Sequence, residues 1–551
     1  MNLIKKITWV FLIILVSIPA LLPLTRQGFF PTQDFIHVAR IYEMDKALKI
    51  GQFPVRWVPD FRYGEPTFDF YAPLPFYLGS LIHNLNFSFL DTTKILFGLS
   101  FLLSGLAMYL LSKEFFGKVG GLISATLYIY APYHSVDIYV RGALSESLAL
   151  IFFPLIFLTA FRLTKEVNTK NIALTALSFG GLFLTHNVMT VLFTPFALGW
   201  LAFLVWRERN LKLIKPFGVS LLLGAGLAAT FMLPAFFEKN LVQSDKMITG
   251  YFDYRGHFVE IKQFFSTFWG YGASLWGPED GMSFQVGLVH WAVFGLSLIT
   301  SFVFFKNKKQ LYLILALAAA FLFSLFMQHN KSTPIWTHLS LLAYTQFPWR
   351  FLGISIFLVS FIGGVLGTVF KKKLVILALV LIVATVYFNI NFFHPESYYL
   401  DSIDAHYVGP EVLANGDKLP KDYLPIWVQD LQRDRIIFPH TVGGEAIISN
   451  YQNNSTSAQF QAKVTKDADI EVPLTYFPGW QASANNKPVN LETPDKYGLI
   501  RIKLTPGDYN VKLTFLDTPI RSFGNALSIV SLVTIIGLLA MKKFKFKPWL
   551  T

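Results

Sequence analysis

The stretch PTQDFIHVARIYEMDKALKIGQFPVRW, Pro31 to Trp57, holds Asp34, His37, Arg40, Glu43 and Asp45 within twelve positions, just beyond an apolar N-terminal run. A carboxylate in such a place can take a proton from a hydroxyl. Cations beside it can hold a departing anionic group, since charge develops there as the bond breaks. More ionisable residues gather at the ends of later apolar runs: His134, Asp137, Arg141 and Glu146, then His186, His290, and finally His329, Lys331 and Arg350. Asp34 is expected to be the general base and Glu146 a second catalytic acid. His37, Arg40, Arg141, His186, Lys331 and Arg350 are expected to bind substrate or phosphate, arginine being favoured for its planar donor fork. Trp57, Tyr71 and the Trp480 of YFPGWQ are candidate platforms for acceptor or sugar. Each has a simpler reading: a helix-start acid for Asp34, an N-terminal acid for Glu146, a turn histidine for His186, an interfacial anchor for Arg350.

The elements that must position these groups are membrane spans. The chain has 551 residues, 53% hydrophobic and 17% aromatic with only 15% charge, outside the usual soluble range. Cysteine is absent, which excludes disulfides and thiol chemistry. Apolar runs long enough to cross a bilayer lie at 7–24, 94–112, 119–134, 144–163, 172–186, 189–206, 215–237, 286–305, 311–328, 350–370, 373–391 and 522–541. Twelve spans put both termini on one side. With that side cytoplasmic, its segments hold 21 Lys and Arg against three acids, so the net charge of +13 is an orientation signal and not a nucleic-acid footprint. The first run has no small-residue cleavage site after it and reads as an uncleaved span.

The expected architecture is thus a polytopic α-helical membrane domain, 1–391, with outer loops at 25–93 and 238–285. A β-sandwich-like domain follows at 392–521, outside the cytoplasm, and a last span with a basic tail at 522–551. Residues 31–50 predict a helix on the outer surface, with Asp34, His37 and Arg40 along one face. Alternating runs at 500–504 and 509–515, joined by TPGD, predict a hairpin. Ionisable residues cluster at outer span ends, and several spans have none at their centres. Proton- or ion-coupled transport needs such groups near the midplane. A site at the outer lipid–water boundary instead suits an enzyme acting on a lipid-linked substrate, best a polyprenyl-phosphate sugar.

One acid shortly after the first span, aromatic outer loops and a late outer domain together resemble the GT-C superfamily of membrane glycosyltransferases. HVARIYEMDKALKIGQFPVRWVPDFRYGEPTFDFYAPLPFYL, YVRGALSESLAL, HNKSTPIW and QFPWRFLG are similar to the prokaryotic "6-pyruvoyl-tetrahydropterin synthase-related" membrane protein family. YFPGWQASANNKPVN and LTPGDYNVKLTF resemble a related bacterial family implicated in glycosylating lipoteichoic acid. Nothing in the chain resembles a soluble pterin enzyme with a three-histidine zinc site. The resemblance implies transfer of a hexose or pentose to a cell-envelope glycan or glycolipid acceptor, which the charge topology puts at the outer face of the plasma membrane, and base-assisted single displacement at the anomeric carbon predicts inversion. Asp34 matches the first-loop acid. Many relatives carry paired acids where this chain has Gln33–Asp34–Phe35–Ile36, so no cofactor is required by the sequence. A divalent metal drawing on Asp60, Glu65 and Asp69 is the alternative. Two other readings stand beside the enzyme: a non-catalytic scaffold of envelope assembly, and a lipid or polysaccharide transporter.

Overall fold

The computed structural model describes residues 2–277, 279–369, 375–413, 421, 423–431, 436–492 and 494–541. Seven helices are long and apolar enough to cross a membrane: Thr8–Thr25, Phe89–Ile129, Leu144–Lys165, Asn187–Glu208, Lys308–Phe326, Pro348–Thr368 and Pro519–Ala540. Leu211–Leu227 and Ala229–Phe237, bent by 75° at their junction, make an eighth if they count as one. Leu288–Phe304 and Ile376–Phe392 are shorter apolar helices. By length and composition alone, seven or eight described helices qualify as crossings, with Phe89–Ile129 counted once, so the twelve expected spans are not confirmed. Phe89–Ile129 runs over two expected spans and leaves helical geometry at Gly117, where φ is +74°. The expected span at 172–186 becomes the 17-residue helix Thr169–Thr185. The basic run 371–373 and the tail after Met541 lie outside the described residues.

Seven strands form one hydrogen-bonded sheet: β1 (His440–Asn454), β2 (Ser457–Thr475), β3 (Trp480–Ala484), β4 (Lys487–Val489), β5 (Leu491–Glu492), β6 (Leu499–Leu504) and β7 (Gly507–Phe515). The order is β4-β3-β7-β2-β6-β5, with β1 on the other edge of β2. The expected hairpin does not form. β6 and β7 both pair antiparallel with β2, Leu504 opposite Ala468 and Gly507 opposite Val464. They run as one interrupted strand, broken where Pro506 has no N–H to give the ladder. Register shifts in β1 fall at the same level, between Thr441 and Ala446. The result is one continuous hydrogen-bonded sheet around the long strand β2, in place of the two separately bonded sheets of a sandwich.

The three segments expected on the outer face meet in one core. Trp57 and Phe70 from the first loop, Val242 from the second and Tyr423 join the β-domain core around Ile470, Val472 and Leu513. Burial along β2 accordingly changes from alternating to continuous over Ile470–Thr475, and the Thr475 N–H donates to the Tyr63 carbonyl at 2.9 Å. Residues 31–50 form the helix Ile36–Lys49 as predicted, but not on the surface. His37, Val38, Arg40, Ile41, Glu43 and Met44 are all buried, because aromatic segments cover both faces.

Candidate active site

Asp34 precedes the Ile36–Lys49 helix and is fixed through its backbone. Its N–H donates to the Arg141 carbonyl at 2.8 Å, and the Gln33 N–H to the Val140 carbonyl at 3.3 Å. Gly142 makes this docking close. Its φ is +67°, and a Cβ there would lie 2.6 Å from Thr32, so the turn takes glycine for both backbone and space. The helix cap is Phe35, with no side-chain capping bond. The Asp34 carboxylate is therefore not spent as a cap, and it has no hydrogen bond or ion pair among the described residues. It lines a cavity of about 940 Å³.

His37, Arg40, Tyr71, Arg141, Glu146, His186 and Arg350 line the same cavity. Arg40 and His37 come from the helix turn beyond Asp34. The Arg40 guanidinium sits 4.0 Å from the Tyr71 ring centroid, buried, with Nε unpartnered and no carboxylate in ion-pair reach among the described residues. His37 stacks on Phe76, centroids 5.9 Å apart, with Nδ1 unpartnered. Burial first, then Arg40, His186 and Arg141, hold its imidazole well below the usual histidine range, so the ring is neutral. His186 caps the Asn187–Glu208 helix: its Nδ1 accepts the Met189 N–H at 3.1 Å. In the neutral ring the proton is then on Nε2, a donor available to the cavity.

Opposite Asp34, charges are paired. Arg141 spans Asp137 and Glu146, the latter at 2.9 Å, and lies 4.6 Å from the Trp349 ring centroid. Glu146 also accepts the Tyr133 hydroxyl at 2.6 Å and lies 3.4 Å from Arg350 Nε. Arg350 Nη1 donates to the Thr345 carbonyl at 3.0 Å and contacts the Gln346 amide oxygen at 3.3 Å. Gln346 itself has φ +65° and ψ −49°, and the Phe347 N–H bonds the Thr345 carbonyl across it at 2.7 Å. This is a rare γ-turn with stored strain, found where a site over-determines its backbone. Glu146 is thus the shared counter-ion of two arginines, which suits positioning better than the acid role expected for it.

Three expected residues are elsewhere. Lys331 is exposed on the turn Asn330–Ser332 and does not line the cavity. Trp57 is fully buried and Trp480 nearly so; their rings pack edge to face at 5.6 Å in the β-domain core. Neither offers a face to a sugar, because the aromatic surface read as a platform is what joins two segments. Sequence reasoning missed Tyr133, Trp349, Gln346 and the lysines of the cavity rim. The i,i+4 spacing of Asp137 and Arg141 was a readable signal for the ion pair; nothing local marked the others. No group of three or more metal-ligating side chains suited to an ion is found among the described residues.

A sequence profile described as "6-pyruvoyl-tetrahydropterin synthase related domain; membrane protein" matches residues 68–394. An uncharacterized protein of Lactococcus lactis subsp. cremoris (strain MG1363) is 30% identical over 247 residues, 42% of this chain and 40% of that protein. Among solved structures, the arabinofuranosyltransferase AftD from Mycobacteria aligns over 70% of this chain and 27% of its own, at 14% identity and TM-score 0.45. ArnT from Cupriavidus metallidurans, bound to undecaprenyl phosphate, aligns over 65% and 60%, at 11% identity and TM-score 0.38. The Archaeoglobus fulgidus oligosaccharyltransferase aligns over 71% and 56%, at 12% identity and TM-score 0.40. The chain spans less than two thirds of the length of each of these proteins.

Proposed function

The chain belongs to the 6-pyruvoyl-tetrahydropterin synthase related family of membrane proteins, and from that premise we propose that it is a membrane glycosyltransferase of GT-C type, moving a sugar from a polyprenyl-phosphate donor to a cell-envelope acceptor. The observation that carries the reading is the unpartnered Asp34 carboxylate in a cavity shared with Arg40, His186 and Arg350. Asp34 takes the proton of the acceptor hydroxyl. The acceptor oxygen bonds to the anomeric carbon while the bond from that carbon to the phosphate oxygen breaks, its electron pair leaving with the phosphate. Single displacement inverts the anomeric configuration.

Arg40 is the cation best suited to the phosphate. A buried charge without a counter-ion is costly, and an anionic ligand offsets that cost. Arg350 and the His186 Nε2–H add donors. Phe183, Val188, Val191, Phe231, Met232 and Phe236 give the cavity an apolar wall between helices, suited to a polyprenyl chain entering from the bilayer. With the termini cytoplasmic, this wall opens to the outer leaflet.

The test is sugar release from polyprenyl-phosphate donors by the reconstituted protein, comparing wild type with Asp34→Asn. Loss of about a hundredfold or more in rate with unchanged thermal unfolding is expected, the usual contribution of a general base. Equal rates would remove Asp34 from the chemistry. Absence of turnover from any donor, with membrane extract as acceptor, would favour the scaffold.

A further inference from the structure

The cavity lining is unequally charged. Arg40, Arg141, Arg350, Lys239, Lys246 and Lys421 face two acids, Asp34 and Glu146. Glu146 is committed to Arg141 and Arg350, and Asp137 lies behind Arg141. One donor phosphate answers Arg40. The lysines remain, and they come from the segments that follow the broken span and precede Tyr423, not from the helices that carry Arg40, Arg141 and Arg350. Lys239 follows the broken span, its ammonium 5.4 Å from the Tyr344 ring centroid. Lys246 projects from the turn Ser244–Ile248, and Lys421 precedes Tyr423, both exposed. None of the three has an ion pair among the described residues. Glu238, beside Lys239, is taken by Arg521, and Asp245, beside Lys246, is exposed and does not line the cavity. Tyr251 and Phe252, on the turn after Lys246, line the same cavity and offer aromatic surface, while Tyr423 stacks on Phe70 in the β-domain core.

We propose that the lysine rim is an acceptor site selecting a glycan or polyol chain that carries negative charge near its reacting hydroxyl. The inference rests on the glycosyltransferase reading of the cavity. Phosphodiester and uronate chains share the required chemistry: repeated anions spaced by hydroxyl-bearing units. The rim attracts the charge, the aromatic faces take the apolar side of a ring, and a hydroxyl is delivered toward Asp34. Exposed lysines act over about a Debye length, near 10 Å at 0.1 M salt, so the selection weakens as salt rises.

The experiment uses the full chain in nanodiscs of phosphatidylcholine, with fluorescent oligogalacturonate, oligo(glycerol phosphate) and neutral maltohexaose as probes. Both charged probes, or the one of matching chemistry, should bind at low salt and maltohexaose should not. The triple change Lys239→Gln, Lys246→Gln, Lys421→Gln should weaken charged-probe binding by about tenfold or more, roughly 1.4 kcal/mol. Arg40→Gln and Asp34→Asn should change it by less than the triple variant does. Equal binding of maltohexaose, or full binding by the triple variant, overturns the proposal. Loss of probe binding in Arg40→Gln alone assigns the anion to the donor end and also overturns it. So does a triple variant that is impaired only when anionic lipid is added, which makes the lysines membrane contacts. A catalytically silent Asp34→Asn that binds probe normally separates the fate of the rim from that of the chemistry.

Discussion

Glu146 holds two buried arginines, Arg141 and Arg350, while Asp137 supplies the only other carboxylate paired with either among the described residues. Glu146→Gln keeps the shape and removes the charge, leaving buried cations undercompensated at a cost of about 3–5 kcal/mol. A clear fall in the thermal midpoint, partly restored by added inorganic phosphate, is expected. A variant as stable as wild type but slow in transfer would return Glu146 to the acid role. His37 makes a separate prediction. Its folded pKa is depressed by burial and neighbouring cations, so the unfolded chain binds the proton more readily. Its contribution is full above the unfolded value near 6.5 and is lost as pH falls below it. Unfolding midpoints measured downward from pH 7 should decline less in His37→Gln than in wild type. At this scale the sequence was informative about membership and, beyond the i,i+4 pair of Asp137 and Arg141, silent about pairing. Asp34, His37, Arg40, Arg141, Glu146, His186 and Arg350 do line one cavity. Arg141 is neutralised by near neighbours in the chain, Asp137 four residues before it and Glu146 five after, whereas nothing in the spacing showed that Arg40 has no carboxylate in ion-pair reach among the described residues.

Elements were legible where periodicity was local and failed where pairing was not. The Ile36–Lys49 helix follows from its own spacing. Its burial does not, since the helix's own spacing says nothing of Leu74–His83 and Phe89–Ile129, which pack on it. TPGD carries a turn signal, yet β6 and β7 lie end to end along the 19-residue β2 and together fill a ladder that a hairpin between them would leave unpaired. Trp57 and Trp480 failed as platforms for the same reason: an aromatic suited to a sugar is equally suited to another aromatic. Trp480→Ala should therefore act on stability, costing about 3–5 kcal/mol as a large core truncation, with transfer per folded molecule little changed. Limited proteolysis of the β-domain against temperature reads this directly. A stable variant with weakened acceptor use would restore the platform.

Across the whole molecule, a buried ionic chain fastens the β-domain's exit to the cavity wall. Arg521, fully buried at the start of the Pro519–Ala540 helix, pairs with Asp69 at 3.1 Å and Glu238 at 2.8 Å. Asp69 also takes Arg56 at 2.6 Å, and Arg56 reaches Asp517 at 2.8 Å. Asp69 neighbours Phe70 and Tyr71, and Glu238 ends the broken span that carries Phe231, Met232 and Phe236, all cavity residues. Asp69 and Glu238 stand 169 positions apart in the sequence, and Arg521 is farther still. No spacing rule could have joined them. Arg521→Met preserves length and apolar packing but strands Glu238 and halves the pairing of Asp69, so a loss of about 3–5 kcal/mol is expected. If the chain only braces the fold, rates per folded molecule will match wild type below the melting range. If it also sets the distance between the Tyr71 wall and the Phe236 wall, KM for the lipid donor will rise while kcat holds, because the apolar passage is altered and the groups at Asp34 are not. The second outcome is expected, since both carboxylates that Arg521 joins terminate segments lining that passage.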